Sequence, residues 1–481
     1  MERTPEEWRD VLLARLAARR PFYATLRAYY SGDHDLPTAP TTATDTYRRL
    51  AQLGVTNMCG LVVDTVNERL RPRGVRLSTD AEADTAVWRR IWQGNNLDAD
   101  WSVAQEEALK VGRCPVLVWA DDDIADQARV TVEDADEVIV AYAPGSRRKR
   151  VAALKAYVDD GVEHVTVWTA TEVRKWTRPA DNKTAARLNR ELFGNHYAMN
   201  RTDSGISPAA TLILPTARKG DRGAWQADDD YSGRNPIGRV PVTELLSKPS
   251  VSGVPMPELS SSVLKLQDRI NKTMFDAVVA AEYGAFPQRY AIDVEVTRGA
   301  DGTPVNPLTV GPNRVWLLKR GSENAATIGQ LDPFPLEGLL SLADASIKHL
   351  ASISQTPVYY LLSGLTNVGA DSIRAAETGH VAKIINHQTM FGDAAEEMFR
   401  MALAIEGSEV SDDVEVDWAP PETRSPAELA DAAIKLSQAG YPFLAIARYM
   451  GESPAEIERL VAQRDLDVAR VATVPVAADA R

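Results

Sequence analysis

Residues 258–283 read ELSSSVLKLQDRINKTMFDAVVAAEY, and their spacing decides the fold. Val263, Leu266, Ile270, Met274, Ala277 and Ala281 recur at steps of three and four, the repeat of a helix with one apolar stripe. Lys265, Asp268, Lys272 and Asp276 fill its other faces. At ~1.5 Å per residue such a helix is roughly 40 Å long. Two more helical blocks follow. Leu336, Leu339, Leu340, Ala343, Ile347 and Leu350 mark one, which must end before Pro357. In the other, 371–405, Ile384, Phe391, Met398 and Ile405 recur every seven residues, the spacing of a long packed seam that reaches roughly 50 Å. A β-like excursion, 286–332, separates the first block from the second. A loop with Pro, Gly and Asn, 356–370, separates the second from the third. Long helices around a loop suggest work that is mechanical or architectural.

Working outward, the N-terminus carries an explicit helix start. Thr4 suits an N-cap, Pro5 the first helical position, and Glu7 completes a capping box. Trp8, Leu12 and Leu16 follow at helical spacing, and Pro21 is expected to break or kink the run. A second segment carries Phe22, Leu26, Tyr29 and Tyr30 up to Gly32, and 33–46 reads as an extended loop. Helical period returns at 57–70, with Leu61, Val62, Val66 and Leu70 on one side, and 71–74 ends it. Residues 81–110 are again helical, with an interruption at Gly94-Asn95-Asn96.

Strand character begins at 114–119. Alternation then predicts strands at 138–142, 152–158 and 164–168. Residues 181–234 are polar and weakly patterned, with one expected strand at 211–214. One more strand is expected at 240–246, and another at 414–418. The C-terminal part repeats a signature twice: Ser425-Pro426-Ala427-Glu428 and Ser453-Pro454-Ala455-Glu456 each place Ser at the N-cap, Pro next and Glu at the third helical position. The fold class is therefore mixed α+β, predominantly helical.

Composition sets further bounds. The 481 residues are enough for two to four domains, and the net charge of −13 argues against coating nucleic acid through a global positive field. No apolar core of a signal peptide opens the chain and no run of 18 apolar residues exists, so no membrane span is expected. Cys59 and Cys114 fit no metal or redox spacing and read as buried thiols.

No catalytic, cofactor or metal site is expected. The phosphate loop, the dinucleotide fingerprint, the zinc-binding helix and the nucleophile elbow are all missing, so no nucleotide hydrolysis is expected. His380 and His387 lie seven apart, which places them on one helix face and reads as partly buried seam histidines rather than metal ligands. Asp121–Asp123 and Asp228–Asp230 lack the alternating ligands of a calcium loop and read as solvated turns. Arg147-Arg148-Lys149-Arg150 reads as a turn, solvated or in an inter-subunit salt bridge, with phosphate contact as the alternative. In the loop 356–370, Tyr359, Tyr360, Leu361 and Leu362 are large, while Gly364, Asn367 and Gly369 free the backbone. It is either a connector with a packed tyrosine pair or a mobile loop facing a ligand or channel.

Taken in order, several stretches carry a family resemblance: 26–34 (LRAYYSGDH), 62–70 (VVDTVNERL), 88–97 (WRRIWQGNNL), 108–118 (ALKVGRCPVLV), 238–242 (GRVPV), 266–272 (LQDRINK), 370–377 (ADSIRAAE) and 431–436 (DAAIKL). Over nearly its full length the chain resembles the portal protein of long-tailed, siphovirus-type bacteriophages. The resemblance implies a homo-oligomeric ring, typically of twelve subunits, at one capsid vertex of the virion, assembled in the host cytoplasm. Double-stranded DNA would pass weakly and non-specifically through its channel during packaging and ejection. The terminase large subunit, a head–tail adaptor and the major capsid or scaffolding protein would dock on it.

It also implies a subunit plan. Residues 1–257 form an α/β wing, helical first and strand-rich over 129–246. Two stem helices, 258–284 and 336–355, flank a small β-containing clip, 285–335. A tunnel loop, 356–370, leads to a long wing helix and strand, 371–424, and a helical crown, 425–481. The clip, a poor core by itself, is expected to gain order from neighbouring subunits. The channel loop would present Tyr359, Tyr360, Leu362, Ser363, Gly364, Asn367 and Gly369 to DNA, while Lys265, Arg269, Lys272, Arg289, Arg314 and Lys319 would make stem and clip contacts. Two other classes fit the bare sequence: a motif-less helical enzyme, and a non-portal phage adaptor or scaffold. The size of the particle in solution separates them.

Overall fold

In the computed structural model, residues 3–34, 45–77, 84–121, 124, 126–180, 224–285, 289–292, 294–295, 319–320, 327–330, 335–362, 370–408, 413–422 and 424–472 are described. The expected strand at 211–214 lies outside them. The chain divides into two compact units, one of residues 1–34, 58–264 and 351–481, the other of residues 35–57 and 265–350.

The first unit begins with helix Pro5–Ser31, opened by the expected capping box of Thr4 and Glu7 and closed by Gly32 in the left-handed region at φ 83°. Pro21 does not break it. An interior proline costs a helix ~3 kcal/mol, but the turns on either side are pinned. Tyr23 and Leu26 are buried, Arg20 donates to the Asp136 carbonyl at 2.9 Å, and Arg27 binds Glu107, Asp134 and Asp136. Leu12 and Leu16 pack with Ile139, Leu154, Val165, Val167 and Trp176, one face of a five-stranded sheet.

That sheet is an antiparallel meander of Val138–Tyr142, Arg150–Asp159, Val162–Thr169, Glu172–Pro179 and Gln226–Arg234. A three-stranded sheet, in the order Ala128–Val132, Arg113–Ala120, Val242–Leu246, lies beside it. Between them Val138, Val140, Ala153, Trp168, Val173, Val240 and Val242 form a core. Two strands depart from expectation. Gln226–Arg234, with its three aspartates, is an edge strand rather than a turn. An edge has one neighbour and tolerates charge, and Lys175 meets Asp228 at 3.6 Å. Pro72–Arg76 is a strand paired with the distant Glu415–Trp418, a partner that no local pattern announces.

Helix Cys59–Asn67 buries Val62, Val63 and Val66, while Leu61 is exposed. Both cysteines are buried, and neither is in a disulfide. The helical region after it comprises Thr85–Val87, a π-helical stretch Trp88–Gln93, and Leu97–Val111. The expected interruption is present. A Cβ on Gly94 would lie 2.2 Å from the Arg90 carbonyl oxygen, and Asn96 takes the left-handed conformation at φ 57°. The 36-residue helix Ala370–Ile405 packs on the three-stranded sheet, with Ile384, Phe391 and Met398 fully buried. Helices Pro426–Gln438, Phe443–Met450 and Pro454–Ala472 follow, and Ser425 and Ser453 accept from the backbone N–H of Glu428 and Glu456 as expected.

In the second unit, helix Asp45–Leu53 occupies part of the expected loop and packs on helix Ser261–Ala285, Tyr47 meeting Phe275 edge-on at 4.8 Å. Gly54 passes so close that a Cβ there would sit 2.7 Å from the Phe275 Cα. Gln267 and Asn271 are buried because they satisfy non-helical backbone. Gln267 donates to the Thr56 carbonyl at 2.6 Å and Asn271 accepts from the Thr56 N–H at 3.1 Å. The apolar stripe is narrower than expected, since Ala281 is exposed. In the excursion, Arg289–Ile292 pairs with Thr327–Gln330 and Val294–Glu295 with Lys319–Arg320, both antiparallel and within the chain.

Candidate functional site

The last turn of helix Glu337–Ser354, the segment 355–362 and the long helix Ala370–Ile405 meet in a polar knot within the first unit. Gln355 sits in the left-handed region at φ 52°, which turns the chain out of the helix. Thr356 N–H then bonds the Ala351 carbonyl at 2.9 Å, and Ser354 Oγ donates to Thr356 Oγ1 at 3.0 Å. Lys383 Nζ donates to the Ser354 carbonyl at 2.7 Å, a cation on a helix C-terminus. His380 Nδ1 lies 3.0 Å from the Gln355 carbonyl and Nε2 lies 3.2 Å from the Thr65 carbonyl. A neutral imidazole has one N–H and can satisfy only one of these acceptors. Burial and nearby Lys383 hold His380 below the ordinary histidine range.

Beneath this turn lies a buried carboxylate, Glu258. It accepts from Lys248 Nζ at 2.6 Å, from Lys383 Nζ at 3.2 Å and from His387 Nε2 at 2.8 Å. Burial alone would raise its pKa, but the His387 hydrogen bond and the two ammonium groups outweigh it and hold Glu258 far below the usual carboxylate range. Burial lowers His387, so the ring is neutral and donates from Nε2.

Above the turn, Val358–Leu361 forms one short helical turn. Tyr359 and Tyr360 both donate to Glu377 on the long helix, Tyr360 at 3.0 Å. Arg69 completes the cluster. It pairs with Glu377 at 2.9 Å, bonds the Tyr360 hydroxyl and donates to the Pro421 carbonyl at 3.2 Å. Burial opposes ionisation of Glu377, but the bonds from Arg69, Tyr359 and Tyr360 hold it below its ordinary pKa. The same burial and the carboxylate raise both phenols, so they stay neutral donors. This arrangement holds and positions; among the described residues no group of three or more His, Cys, Asp or Glu could hold a metal.

A model of the family described as phage portal protein, SPP1 Gp6-like, matches residues 9–442. This chain belongs to that phage portal protein family. Its function is that of a phage portal. The portal protein of Mycobacterium phage D29 is 26% identical over 413 residues, covering 83% of this chain and 76% of the relative. That of Mycobacterium phage L5 is 26% identical over 388 residues, covering 78% and 71%. Among solved structures, the neck of an empty gene transfer agent particle, computed with C6 symmetry, has a TM-score of 0.46 at 12% identity, covering 86% of this chain and 95% of that one.

Of the segment 356–370, expected as a tunnel loop, residues 356–362 and 370 are described. Tyr359 and Tyr360 are half-buried on a helical turn, their hydroxyls turned to Glu377 rather than to solvent, and Leu362 is half-buried at its end. Ser363, Gly364, Asn367 and Gly369 lie outside the described residues. Lys265 and Arg269 are exposed on helix Ser261–Ala285, Arg269 reaching His349 at 3.3 Å, and Lys272 pairs with Asp276 one turn on. Arg289 and Lys319 lie on the short strands, and Arg314 lies outside the described residues. The basic turn is engaged within the chain: Arg150 pairs with Glu397 and Arg147 donates to the Ser250 carbonyl at 3.3 Å. His380 and His387 are fully rather than partly buried. Sequence reasoning assigned no role to Arg69, Glu258, Glu377 or Lys383. Two of them lie inside quoted family stretches, Arg69 in 62–70 and Glu377 in 370–377, which was the available signal.

Loosening this anchor has a measurable result. Glu377→Gln weakens the charge-assisted bonds from Arg69 and both tyrosines, each worth about 1.5–3 kcal/mol. Amide exchange in 355–362 is expected to accelerate at least tenfold while exchange in the five-stranded sheet stays unchanged. Equal exchange in both regions would show that Glu377 does not hold the turn.

Proposed function

We propose that this chain assembles as a closed ring, of twelve copies, at one vertex of a phage capsid, and that double-stranded DNA passes through the ring during packaging and ejection. The observation that carries this reading is the family match across residues 9–442. The subunit plan is 1–257 as wing, 258–284 and 336–355 as stem, 285–335 as clip, 356–370 as tunnel loop, 371–424 as long wing helix and strand, and 425–481 as crown. The clip and the stem and clip cations Lys265, Arg269, Lys272, Arg289, Arg314 and Lys319 are the parts offered to neighbouring copies and to the terminase large subunit. The head–tail adaptor and the capsid or scaffolding protein are further partners. A net charge of −13 per copy supports weak contact with DNA, since tight phosphate binding would stall a moving strand.

Within this reading residues 362–369 are the channel loop, carrying Leu362, Ser363, Gly364, Asn367 and Gly369. Tyr359 and Tyr360, bonded to Glu377, anchor its base. Replacing Gly364 and Gly369 by valine is expected to leave rings intact in negative-stain images and to lower DNA packaged per procapsid at least tenfold. Normal packaging by that variant would remove the loop from the mechanism. A monomer or dimer of the unmodified protein in solution would remove the ring.

A further inference from the structure

A cleft of about 590 Å³ opens between the two sheets of the first unit, within the range of ~300–1,000 Å³ typical of small-molecule sites. Trp119 and Arg129, cross-strand partners, stand on one wall. Lys155, Thr166 and Lys175 form one cross-strand row on the other. The register of Gln226–Arg234 slips against Glu172–Pro179, and this bulge puts Tyr231 and Arg234 on the lip.

The lining is selective in charge. Lys155 is taken by Glu133 at 2.6 Å, and Lys175 by Asp228 at 3.6 Å with its ammonium 4.1 Å above the Tyr231 ring. Arg129 and Arg234 make no ion pair among the described residues. Asp230 also lines the cleft, so Arg129, Lys155, Lys175 and Arg234 stand against Glu133, Asp230 and the Asp228 that holds Lys175, and a positive balance remains inside a chain of net charge −13. Tyr231 is 69% exposed and keeps a ring face free, and Trp119 is half-buried. Along Ala128–Val132 an extended peptide has no ladder to join. The outer edge of Ala128–Val132 is closed by Asn95, which accepts from Val130 N–H at 2.9 Å and donates to the Ala128 carbonyl at 3.1 Å.

We propose that this cleft binds an anionic ligand bearing a flat ring, of the nucleotide class, with Arg129 and Arg234 on the phosphate and Trp119 and Tyr231 on the base. Guanidinium forks suit phosphate oxygens, and any base offers a face for stacking. The site binds without reacting, and it is separate from the knot at Glu258 and Glu377.

The test is titration of the assembled protein with AMP, adenosine, inorganic phosphate, a dA6 oligonucleotide and hexaglutamate, read by tryptophan fluorescence and calorimetry. AMP is expected to bind and to quench fluorescence, with adenosine and phosphate each much weaker. Arg129→Ala and Arg234→Ala should each weaken AMP roughly tenfold, the loss of one charge-assisted contact, and Trp119→Leu should abolish the quench. Both arginines are exposed, so these variants are expected to fold, as ring images would verify. Binding of dA6 as tight as AMP assigns the site to an unpaired nucleotide of a strand; AMP alone assigns it to a free nucleotide. No AMP binding at millimolar concentration, AMP binding indifferent to both arginine variants, or arginine-dependent binding of hexaglutamate instead of AMP would each overturn the proposal.

Discussion

Glu258→Ala is expected to lower the unfolding free energy by about 3–5 kcal/mol, the cost of leaving a buried charge without its partner. The carboxylate is the common acceptor for Lys248, Lys383 and His387, and Lys383 is itself buried. Without Glu258 the Lys383 ammonium keeps one oxygen partner, the Ser354 carbonyl. A urea midpoint measured by far-UV circular dichroism checks the size. Glu258→Leu combined with Lys383→Met should recover part of the loss, because an apolar pair removes the unmatched charge. No recovery would mean that Glu258 acts mainly through Lys248 and His387.

The same cluster sets a pH dependence. His380 and His387 have lowered pKa values in the folded state, so the unfolded chain takes up protons first as pH falls below ~6.5. Their contribution is present above that value and is lost below it. Glu258 is depressed, so its contribution is present above the unfolded value of ~4.3 and fades as pH falls from there toward its folded value. Stability should therefore decline in two stages between pH 7 and pH 3. Glu258→Gln should shrink the lower stage to the part that Glu377 contributes and keep the upper one; an unchanged lower stage in that variant would place the acid sensitivity elsewhere.

Trp92→Ala is the second large effect, with an expected loss of about 3–5 kcal/mol. Trp92 is 1% exposed and sits at the centre of an aromatic group. It stacks on Trp88 at 4.4 Å, meets Trp101 at 5.1 Å and faces Phe399 of the long helix at 6.1 Å. Its indole N–H donates to Asp98 Oδ1 at 2.9 Å. Truncation opens a cavity among three rings that cannot collapse together. Trp92→Phe keeps an aromatic face and loses the hydrogen bond, so it should cost only about 1–2 kcal/mol more than nothing. Near-UV circular dichroism and the urea midpoint report both. An alanine variant within 1 kcal/mol of the parent, by the same scale for buried aromatic truncation, would show that the neighbours refill the space.

Periodicity was a sound guide wherever one face of an element meets one environment. The seam Ile384, Phe391 and Met398, the strands from Val138 to Thr169 and the capped helices at Thr4 and Ser425 are all local patterns with local causes. It failed where a distant partner supplies the reason. Pro21 reads as a break because the pins at Asp136 and Glu107 come from residues eighty or more positions away. Asp228–Asp230 read as a turn because nothing nearby shows Lys175 waiting across an edge.

What the sequence determined by itself is the order and type of the elements, the mixed, largely helical class and the portal-family membership, because propensity, capping and motif order are properties of neighbouring residues. Tertiary structure decided which polar residues work together. Arg69 and Glu377, or Glu258 and Lys383, are far apart in the chain, and each looks like an ordinary surface charge on its own helix or loop. Burial removes the water that would otherwise satisfy them, so each must find the other, and only folding brings them within reach.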